Sequence, residues 1–385
     1  MLSHVRFASS AAARWLVVLL VVSVCGCSSS DTSAPGTGAG TSGKPAGSTG
    51  GSATRRLILL TNGNSPFWDA ARAGLQDAEK ELELAGAGFT AVMEVNDGTP
   101  QGQLDKLRQY GSQSDIAAVA VSAIDANNVA IAAEMKKLAA KGVPVITVDS
   151  DLDREKLRDS RFAFIGTDNL AGGRELGVCA KHLRADGGEY VTFVGRTGAQ
   201  NAIERVGGFG EGAGAKFKSL DNMGDDLDRT KARDNVRNAI RNHPGLNTLV
   251  GIWSYNAPAI VDVVKELGKR DAMTVVVFDA EPLAIEQMAD GKIDAMVVQN
   301  PYQMGYQGVK LMKALVTKDD AIIKEMFPKL DDKDAADRDI YDTGLKVVVP
   351  DDKSPLKKEM FSDKTEYLLL DAFREWLKKY NLTGS

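Results

Sequence analysis

The sequence predicts an α/β protein with two doubly wound lobes, each built on a parallel sheet. Short apolar runs alternate along the chain with segments whose apolar residues recur at helical spacing, a pattern typical of parallel sheets covered by helices on both faces. The alternation forms two successive series, the second of which begins near Tyr190. The length of 385 residues, 43% of them hydrophobic, is enough for two domains with separate cores.

The first series predicts alternating strands and helices from the start of the folded body. Its apolar runs are short, and the first is followed by the turn residues Thr61-Asn62-Gly63-Asn64. The helical segments carry apolar residues at helical spacing with charges between them. The predicted strands are Leu57–Leu60, Ala91–Val95, Ala117–Val121, Val143–Val148 and Phe162–Ile165, and the predicted helices are Trp68–Leu84, Gln101–Gly111, Asn127–Lys141 and Leu170–Arg184.

The second series repeats this alternation up to about residue 298. Its predicted strands are Tyr190–Val194, a short one around Phe217–Leu220, Thr248–Ile252, Thr274–Phe278 and Ile293–Val298. Its predicted helices are Ala202–Phe217, Thr230–Asn242, Pro258–Leu267 and Ile285–Ala289. Near the end of the chain, roughly helical spacing predicts a further helix that packs on a lobe or, alternatively, binds a partner. The residues that carry this spacing are Leu368, Leu369, Leu370, Phe373, Trp376 and Leu377.

The N-terminus has the pattern of a secreted lipoprotein. His4, Arg6 and Arg14 precede a short apolar run, which predicts a signal peptide over residues 1–26. The run is too short to span a bilayer. Cys27 follows Gly26 in a segment that resembles the bacterial lipobox, so Cys27 is predicted to be lipidated; a plain secretory cleavage site is the alternative. Residues 27–54 are nearly all Ser, Gly, Thr, Ala and Pro and predict a flexible linker.

The composition argues against several functions. The formal charge of −5 supplies no basic field for nucleic acid. Three cysteines and three histidines argue against a disulfide scaffold, a zinc ribbon and His-based metal chemistry. We therefore expect no metal, no cofactor and no nucleic-acid partner.

Polar and aromatic side chains cluster where predicted strands end, which is where doubly wound folds bind ligands. No nucleophile–base pair stands out among them. Aromatic faces can stack on sugar C–H groups, while carboxylate, amide, hydroxyl and guanidinium groups pair with sugar hydroxyls. The set therefore predicts a site for a neutral sugar or polyol. The candidate ligand-binding residues are Ser65, Phe67, Trp68, Ser122, Asp149, Thr167, Arg205, Ser254, Asn256, Phe278, Asp279 and Gln299.

Several of these segments resemble the ribose-binding type of periplasmic sugar-binding proteins, the substrate-capturing components of ABC importers. The resemblance runs in order from about Leu57 to Pro350. The segments that carry it are Asn64-Ser65-Pro66-Phe67-Trp68, Val143-Pro144-Val145-Ile146-Thr147-Val148-Asp149, Gly166-Thr167-Asp168-Asn169 with Gly172-Gly173, and Val277-Phe278-Asp279.

The resemblance implies a role for each candidate residue. Arg205 matches an arginine that reaches the sugar from the second lobe, Asp279 an aspartate that follows an aromatic residue, and Gln299 a hinge glutamine. Two positions are less regular: either Ser254 or Asn256 takes the place of an asparagine, and Ser150 stands where the ribose pattern has a second arginine. The latter departure favours a sugar other than ribose. The candidates placed on the first lobe are Ser65, Phe67, Trp68, Ser122, Asp149 and Thr167.

The resemblance also implies a type I periplasmic binding fold, whose lobes are joined by a three-segment hinge. The crossings are expected near Thr167–Asp168, near Gln299–Asn300 and after Lys318, and the segment from Leu345 to Pro350 returns to the second lobe. The first lobe is then residues 55–167 with 300–335. The second lobe is 168–299 with 336–385, including the extra C-terminal helix.

The expected function is capture of a neutral sugar between the lobes and delivery to an ABC permease, by a lipid-anchored monomer in the periplasm. Closure of the lobes around the ligand is the expected mechanism. One alternative is a sensor that presents the sugar to a membrane kinase or chemoreceptor. A second is an exported sugar-acting enzyme, since Asp149 and Asp279 could face each other across the cleft. A sugar-responsive repressor would need an N-terminal helix-turn-helix in place of the signal.

Overall fold

Two β-sheets organise residues 54–385, the part of the chain that this computed structural model describes. The predicted signal peptide, Cys27 and nearly all of the predicted linker lie outside the described residues. The strands are β1 (Arg55–Leu60), β2 (Phe89–Glu94), β3 (Ile116–Val121), β4 (Val145–Val148), β5 (Phe164–Gly166), β6 (Gly188–Val194), β7 (Phe217–Gly224), β8 (Leu246–Gly251), β9 (Thr274–Phe278), β10 (Ala295–Val298), β11 (Ile340–Asp342), β12 (Leu345–Val349) and β13 (Thr365–Leu369).

Helices cover the faces of these sheets and alternate with the strands along most of the chain. They are α1 (Phe67–Glu81), α2 (Pro100–Tyr110), α3 (Val129–Ala140), α4 (Asn169–Leu183), α5 (Gln200–Ala213), α6 (Arg229–Asn242), α7 (Asn256–Glu266), α8 (Pro282–Ala289), α9 (Pro301–Thr317), α10 (Asp320–Met326) and α11 (Leu370–Lys379). The predicted α/β class is confirmed. Within residues 54–385, none of these helices is both long and apolar enough to cross a membrane.

The first sheet has the strand order β11-β5-β4-β3-β1-β2, and the pairs between its strands are parallel. β3 is buried at every position, as expected for a central strand covered on both faces. Several helices begin at a side-chain cap: Asn128 accepts hydrogen bonds at the start of α3, and Asp168 does so at the start of α4. This sheet and its helices form the first lobe.

The second sheet has the order β13-β12-β10-β9-β8-β6-β7. Its strands pair in parallel, except that β12 runs antiparallel to β10. Helices α4 and α5 pack against one another on this sheet, where Gly173 and Gly208 allow close backbone approach: a Cβ atom at Gly173 would lie 2.3 Å from the Arg205 carbonyl oxygen. This sheet and its helices form the second lobe.

The chain passes between the two sheets three times, and the third passage differs from the prediction. The first two follow β5 and β10, near Thr167–Asp168 and Gln299–Asn300 as expected. β11 pairs with β5, so the boundary predicted at residue 336 is wrong and the chain crosses between Asp342 and Leu345. Ion pairs explain the difference, because Asp339, just before β11, is held on the first lobe by Arg158 and Arg161.

The C-terminal segment contributes a strand as well as a helix. Leu368 and Leu369, which were predicted to be helical, belong to β13, and this strand extends the second sheet beside β12. The helical spacing begins only with Leu370. α11 packs on the core of the second lobe through the buried Phe373 and Leu377.

Candidate functional site

A small cavity lies between the lobes at the carboxyl ends of the strands, the place where ligands bind in folds of this kind. Its volume is about 30 Å³, whereas an engineered cavity that takes up benzene measures about 150 Å³. A sugar ring therefore needs the lobes to stand further apart than they do here. The lining residues are Asn62, Gly63, Ser65, Phe67, Trp68, Asp149, Asn201, Arg205, Leu227, Trp253, Ser254, Tyr255, Asp279 and Gln299.

Direct contacts join the lobes around this cavity. The Arg196 side chain donates to the Gly98 carbonyl oxygen at 2.6 Å, and the Ala126 amide donates to the Gly198 carbonyl oxygen at 3.0 Å. The Arg154 guanidinium lies 3.3 Å from the Glu204 carboxylate. These contacts hold the second lobe against the first, so the structure is a closed arrangement.

Leu227 closes the cavity on one side by fitting against two glycines of the first lobe. A Cβ atom at Gly63 would lie 2.9 Å from Leu227 Cδ2, and one at Gly98 would lie 3.2 Å from Cδ1. Leu227 and the preceding Asp226 both have positive φ, 66° and 57°. This conformation is rare for leucine, and it turns the loop between β7 and α6 toward the first lobe.

Two aspartates enter the cavity in the same way from the two lobes. Asp149 directly follows β4 and Asp279 directly follows β9, and both have positive φ, 63° and 65°. Aspartate tolerates this left-handed conformation better than most residues, which explains its presence at both positions. Each strand therefore ends in a carboxylate that the backbone turns into the space between the lobes.

Arg205, on α5, provides the buried positive charge of the cavity. Its Nη1 atom lies 3.8 Å from Asp279 Oδ2, and its Nε atom donates to Asn169 Oδ1 at 2.9 Å. The guanidinium carbon lies 3.8 Å from the centre of the Phe278 ring, a cation–π contact that fixes the plane of the group. The Nη2 atom of Arg205 and the Oδ1 atom of Asp279 are buried and have no hydrogen-bond partner among residues 54–385.

Burial controls the ionisation of both carboxyl groups. Burial raises the pKa of Asp279 to about 7; Arg205 opposes this rise, and the nearby Asp149 carboxylate adds to it. Burial also raises the pKa of Asp149, although Arg205 and the side chains of Ser122 and Asn201 act in the opposite direction. The single guanidinium of Arg205 therefore offsets only part of the effect of burial on the two carboxylates.

Aromatic rings from both lobes form the apolar walls. On the first lobe, the rings of Phe67 and Trp68 meet edge to face with 5.0 Å between their centres. On the second lobe, Trp253 packs beside Gly195, where a Cβ atom would lie 2.2 Å from the indole ring. The Trp253 Nε1–H donates to Asn201 Oδ1 at 3.1 Å, which fixes the orientation of the indole.

The structure brings most of the predicted residues to this one cavity. Those that line it are Ser65, Phe67, Trp68, Asp149, Arg205, Ser254, Asp279 and Gln299. The other four predicted residues are buried but do not line it. Each of them contacts a residue that does. Ser122 Oγ donates to Asp149 Oδ2 at 2.9 Å, Thr167 Oγ1 donates to Gln299 Oε1 at 3.0 Å, the Phe278 ring lies against Arg205, and Asn256 Oδ1 accepts from the Trp253 amide.

Asn256 is the predicted residue that the structure places away from the cavity. Its Nδ2 atom donates to Asp225 Oδ2 at 2.9 Å, and its Oδ1 atom accepts from the Trp253 amide at 3.1 Å. Ser254, the alternative at this position, lines the cavity and donates to Glu281 at 3.0 Å. The structure therefore favours Ser254 as the cavity residue and gives Asn256 a structural role.

Sequence reasoning missed several lining residues: Asn62, Gly63, Asn201, Leu227, Trp253 and Tyr255. Trp253 and Tyr255 flank Ser254 in the segment that follows β8, and these positions could have added them to the predicted set. Asn201 lies one turn before Arg205 on the same helix, where residues four apart share a face. Leu227 gives no sequence signal, since an apolar residue in a loop between two elements has many explanations.

The described residues offer no evident metal site. Within residues 54–385, no group of three or more His, Cys, Asp or Glu side chains is arranged to hold a metal ion. Cys179, the free cysteine in this part of the chain, is buried in the core of the second lobe.

Comparison with known proteins agrees with the fold and identifies the family. Residues 57–320 match the family described as periplasmic binding protein domain. The D-allose-binding periplasmic protein of Escherichia coli is 26% identical over 266 residues, which cover 68% of this chain and 84% of that protein. The ribose import binding protein of Salmonella typhimurium is 27% identical over 255 residues, which cover 66% of this chain and 82% of that protein.

A solved structure shows the same fold. It is an ABC transporter solute-binding protein from Burkholderia graminis in complex with D-arabinose, and it superposes with a TM-score of 0.66 over 80% of this chain and 99% of that one, at 23% identity. Since the family match spans more than half of the chain, this protein belongs to the periplasmic binding protein family.

Proposed function

We propose that this protein captures a neutral sugar or polyol between its lobes and delivers it to an ABC importer. The observation that carries the proposal is the pair of unpartnered buried atoms in the cavity, Arg205 Nη2 and Asp279 Oδ1. An unpaired buried polar group costs about 1–3 kcal/mol. A sugar hydroxyl can both accept from the guanidinium and donate to the carboxylate, so it would satisfy both atoms.

The remaining surroundings fit the same ligand class. Asp149 provides a second acceptor, and Phe67, Trp68 and Trp253 offer faces for the C–H surfaces of a ring. The relatives named for D-allose and ribose, and the fold neighbour solved with D-arabinose, support a monosaccharide. The departure at Ser150, which replaces the second arginine of the ribose pattern, favours a sugar other than ribose.

Closure of the lobes is the proposed mechanism. Ligand groups that contact Asp149 on the first lobe and Arg205 on the second stabilise the closed arrangement through their differential affinity for it. The small volume of the cavity means that the sugar enters an open form and holds the lobes further apart than in this structure. The closed, loaded receptor is the form that would dock on the permease.

We also propose that the mature chain is a monomer held at a bacterial membrane by lipidated Cys27. The lipobox-like segment in which Cys27 follows Gly26 supports this anchor. Membrane fractionation of wild-type protein and the Cys27→Ala variant tests the anchor. Wild-type protein should remain with the membrane and the variant should be soluble, whereas equal release of both would contradict the anchor.

Binding rather than catalysis is proposed for the two carboxyl groups. Arg205 lies 3.8 Å from Asp279 and opposes the burial that raises the pKa of Asp149, so both carboxylates are arranged around a guanidinium and not around a leaving group. If this is correct, a sugar incubated with the protein is recovered unchanged. Release of a new product by wild-type protein, but not by Asp279→Asn, would favour the enzyme alternative.

The experiment that tests the proposal is a thermal shift series on ligand-free protein. The protein is unfolded, dialysed and refolded, and its melting temperature is measured with pentoses, hexoses, polyols and nucleosides. A sugar that binds only the folded state raises the melting temperature, by a free-energy increment of about 2.7 kcal/mol at 100 times its Kd. A rise with one or two related sugars is expected. A sharp melt that no sugar shifts would contradict the carbohydrate assignment.

A further inference from the structure

The last five residues of the sequence pack against the loops that carry Asp279 and Gln299, two residues of the ligand cavity. The tail, residues 381–385, follows α11 and folds back along the second lobe, where the Leu382 amide donates to the Leu377 carbonyl oxygen at 2.9 Å. The tail lies outside residues 57–320, which match the family. It ends at Ser385, which is only 2% exposed.

Ser385 makes hydrogen bonds to the two loops that carry Asp279 and Gln299. Its amide donates to the Ala280 carbonyl oxygen at 3.0 Å, and its carbonyl oxygen accepts from the Ala280 amide at 2.7 Å. Its Oγ–H donates to the Gln299 carbonyl oxygen at 2.9 Å. One residue thus joins the loop after β9 to the loop after β10.

Hydrogen bonds from neighbouring residues hold the conformation of these two loops. Asp279 has a φ of 65°, a conformation that persists in a non-glycine residue when surrounding contacts hold it. Gln299 Nε2 donates to Asp279 Oδ2 at 3.1 Å, and Thr167 Oγ1 donates to Gln299 Oε1 at 3.0 Å. The carboxylate of Asp279 is therefore oriented by Gln299, and Ser385 fixes the backbone of Gln299 and of Ala280, the residue that follows Asp279.

The residue just before the tail contacts the first lobe. The ring of Tyr380, just before the tail, lies 4.9 Å from the ring of Tyr302 at the start of α9. A second small cavity separates the tail from the first turns of α1 and includes Phe67, which lines the ligand cavity as well. The tail thus lies beside the hinge, and Tyr380, which precedes it, contacts the first lobe.

We propose that residues 381–385 are positioning residues of the ligand site. They hold Asp279 and Gln299 in the geometry that a ligand would meet, without touching the ligand. The expected effect on sugar affinity depends on the proposed function, whereas the effect on the two loops does not.

Three variants test this proposal. A chain that ends at Tyr380 lacks the whole tail. Gly384→Val keeps the tail but displaces it, because a Cβ atom at Gly384 would lie 2.7 Å from the Ala280 carbonyl oxygen. Ser385→Ala removes only the hydroxyl bond to Gln299. As a control for general destabilisation, Val264→Ala opens a small cavity in the same hydrophobic core, on α7.

The first measurement is amide-resolved hydrogen exchange on ligand-free protein. The diagnostic group is the Asp279 amide, which donates to the Val297 carbonyl oxygen at 2.7 Å and not to the tail. In the truncated and Gly384→Val chains it should exchange about tenfold faster, the effect of weakening the loop by about 1.4 kcal/mol. Val264→Ala should not show this local change. Unchanged exchange at Asp279 in both tail variants would overturn the proposal.

The second measurement is affinity for the sugar that gives the largest thermal shift. Truncation should weaken binding about tenfold, and its effect should be smaller in a chain that already carries Asp279→Asn, because the tail acts partly through Asp279. If the affinity losses of truncation and Asp279→Asn add fully in the double variant, the tail does not act through Asp279. A wild-type chain that binds no sugar would refute the proposed function, and hydrogen exchange would then decide the role of the tail alone.

Discussion

Arg205 Nη1 lies 3.8 Å from Asp279 Oδ2, and both side chains are almost completely buried. The two residues come from the same lobe, so their pairing does not depend on closure. The first lobe adds Asp149 to them, and the guanidinium then faces two desolvated carboxylates while one of its own nitrogens stays unpartnered. A pre-arranged but unsatisfied group of charges is what a binding site for hydroxyl groups requires.

The first prediction concerns the planar guanidinium group of Arg205. Arg205→Lys keeps the charge but removes the parallel donors and the stacking on Phe278. Sugar affinity should fall about 10- to 100-fold, because a hydrogen bond to a charged group contributes about 1.5–3 kcal/mol. Titration calorimetry measures the change. Arg174→Lys, on the half-exposed face of α4, is the control and should bind as the wild type does.

The second prediction concerns pH and Asp279. The folded pKa of about 7 lies above the unfolded value of about 3.9. Between these values the folded state binds more protons than the unfolded state, so this group makes stability decrease as pH rises from about 4 to 7. Burial raises the pKa of Asp225 to about 6. This group therefore also makes stability decrease as pH rises, over a narrower pH range than Asp279 does.

Melting temperatures of ligand-free protein between pH 4 and 8 measure this dependence. Asp279→Asn should remove part of the loss of stability with rising pH. Asp262 is exposed, so the control variant Asp262→Asn should leave this pH dependence unchanged. A wild-type and an Asp279→Asn curve that run parallel across this range would show that the Asp279 carboxyl is not held in its neutral form.

The third prediction concerns Asn201, which sequence reasoning missed. Its side chain accepts from Trp253 Nε1 at 3.1 Å and reaches Asp149 Oδ2 of the other lobe at 3.5 Å. Asn201→Ala should weaken sugar binding about tenfold, since it frees the indole and removes a contact across the cleft. Ile203→Ala, on the exposed side of the same helix, should leave affinity unchanged. Equal affinities for the two variants would exclude Asn201 from the site.

The fourth prediction separates Ser254 from Asn256. Asn256→Ala removes the donor to Asp225 Oδ2 and the acceptor of the Trp253 amide, so the melting temperature should drop by several degrees, with a free-energy loss of about 1–3 kcal/mol. Ser254→Ala should affect sugar affinity more than stability, because Ser254 lines the cavity. Calorimetric titration and thermal unfolding of both variants provide the comparison. The reverse pattern would restore Asn256 as the ligand residue.

Much of this architecture could be predicted because its signals are local. The alternation of apolar runs and helical periods predicted both sheets, and residues placed directly after strands, such as Asp149 and Asp279, were placed at the cavity by topology alone. Element bounds shifted by a few residues where capping residues, among them Asn128 and Asp168, begin the helices.

The differences arise where long-range contacts decide the outcome. β11 joins the first sheet because Asp339 pairs with Arg158 and Arg161, residues far away in sequence. Leu227 enters the cavity because two successive residues adopt positive φ, which no spacing of residue types indicates. Asn256 has suitable chemistry for a ligand, but Asp225 already occupies its amide.

The most direct test of the account is a crystal structure of the refolded protein with the sugar that gives the largest thermal shift. The ring is expected between the lobes, with hydroxyl groups within hydrogen-bond distance of Arg205 Nη2 and Asp279 Oδ1, the atoms that lack partners here. Sugar bound outside the cleft, or inside it with both atoms still unpartnered, would contradict the central claim.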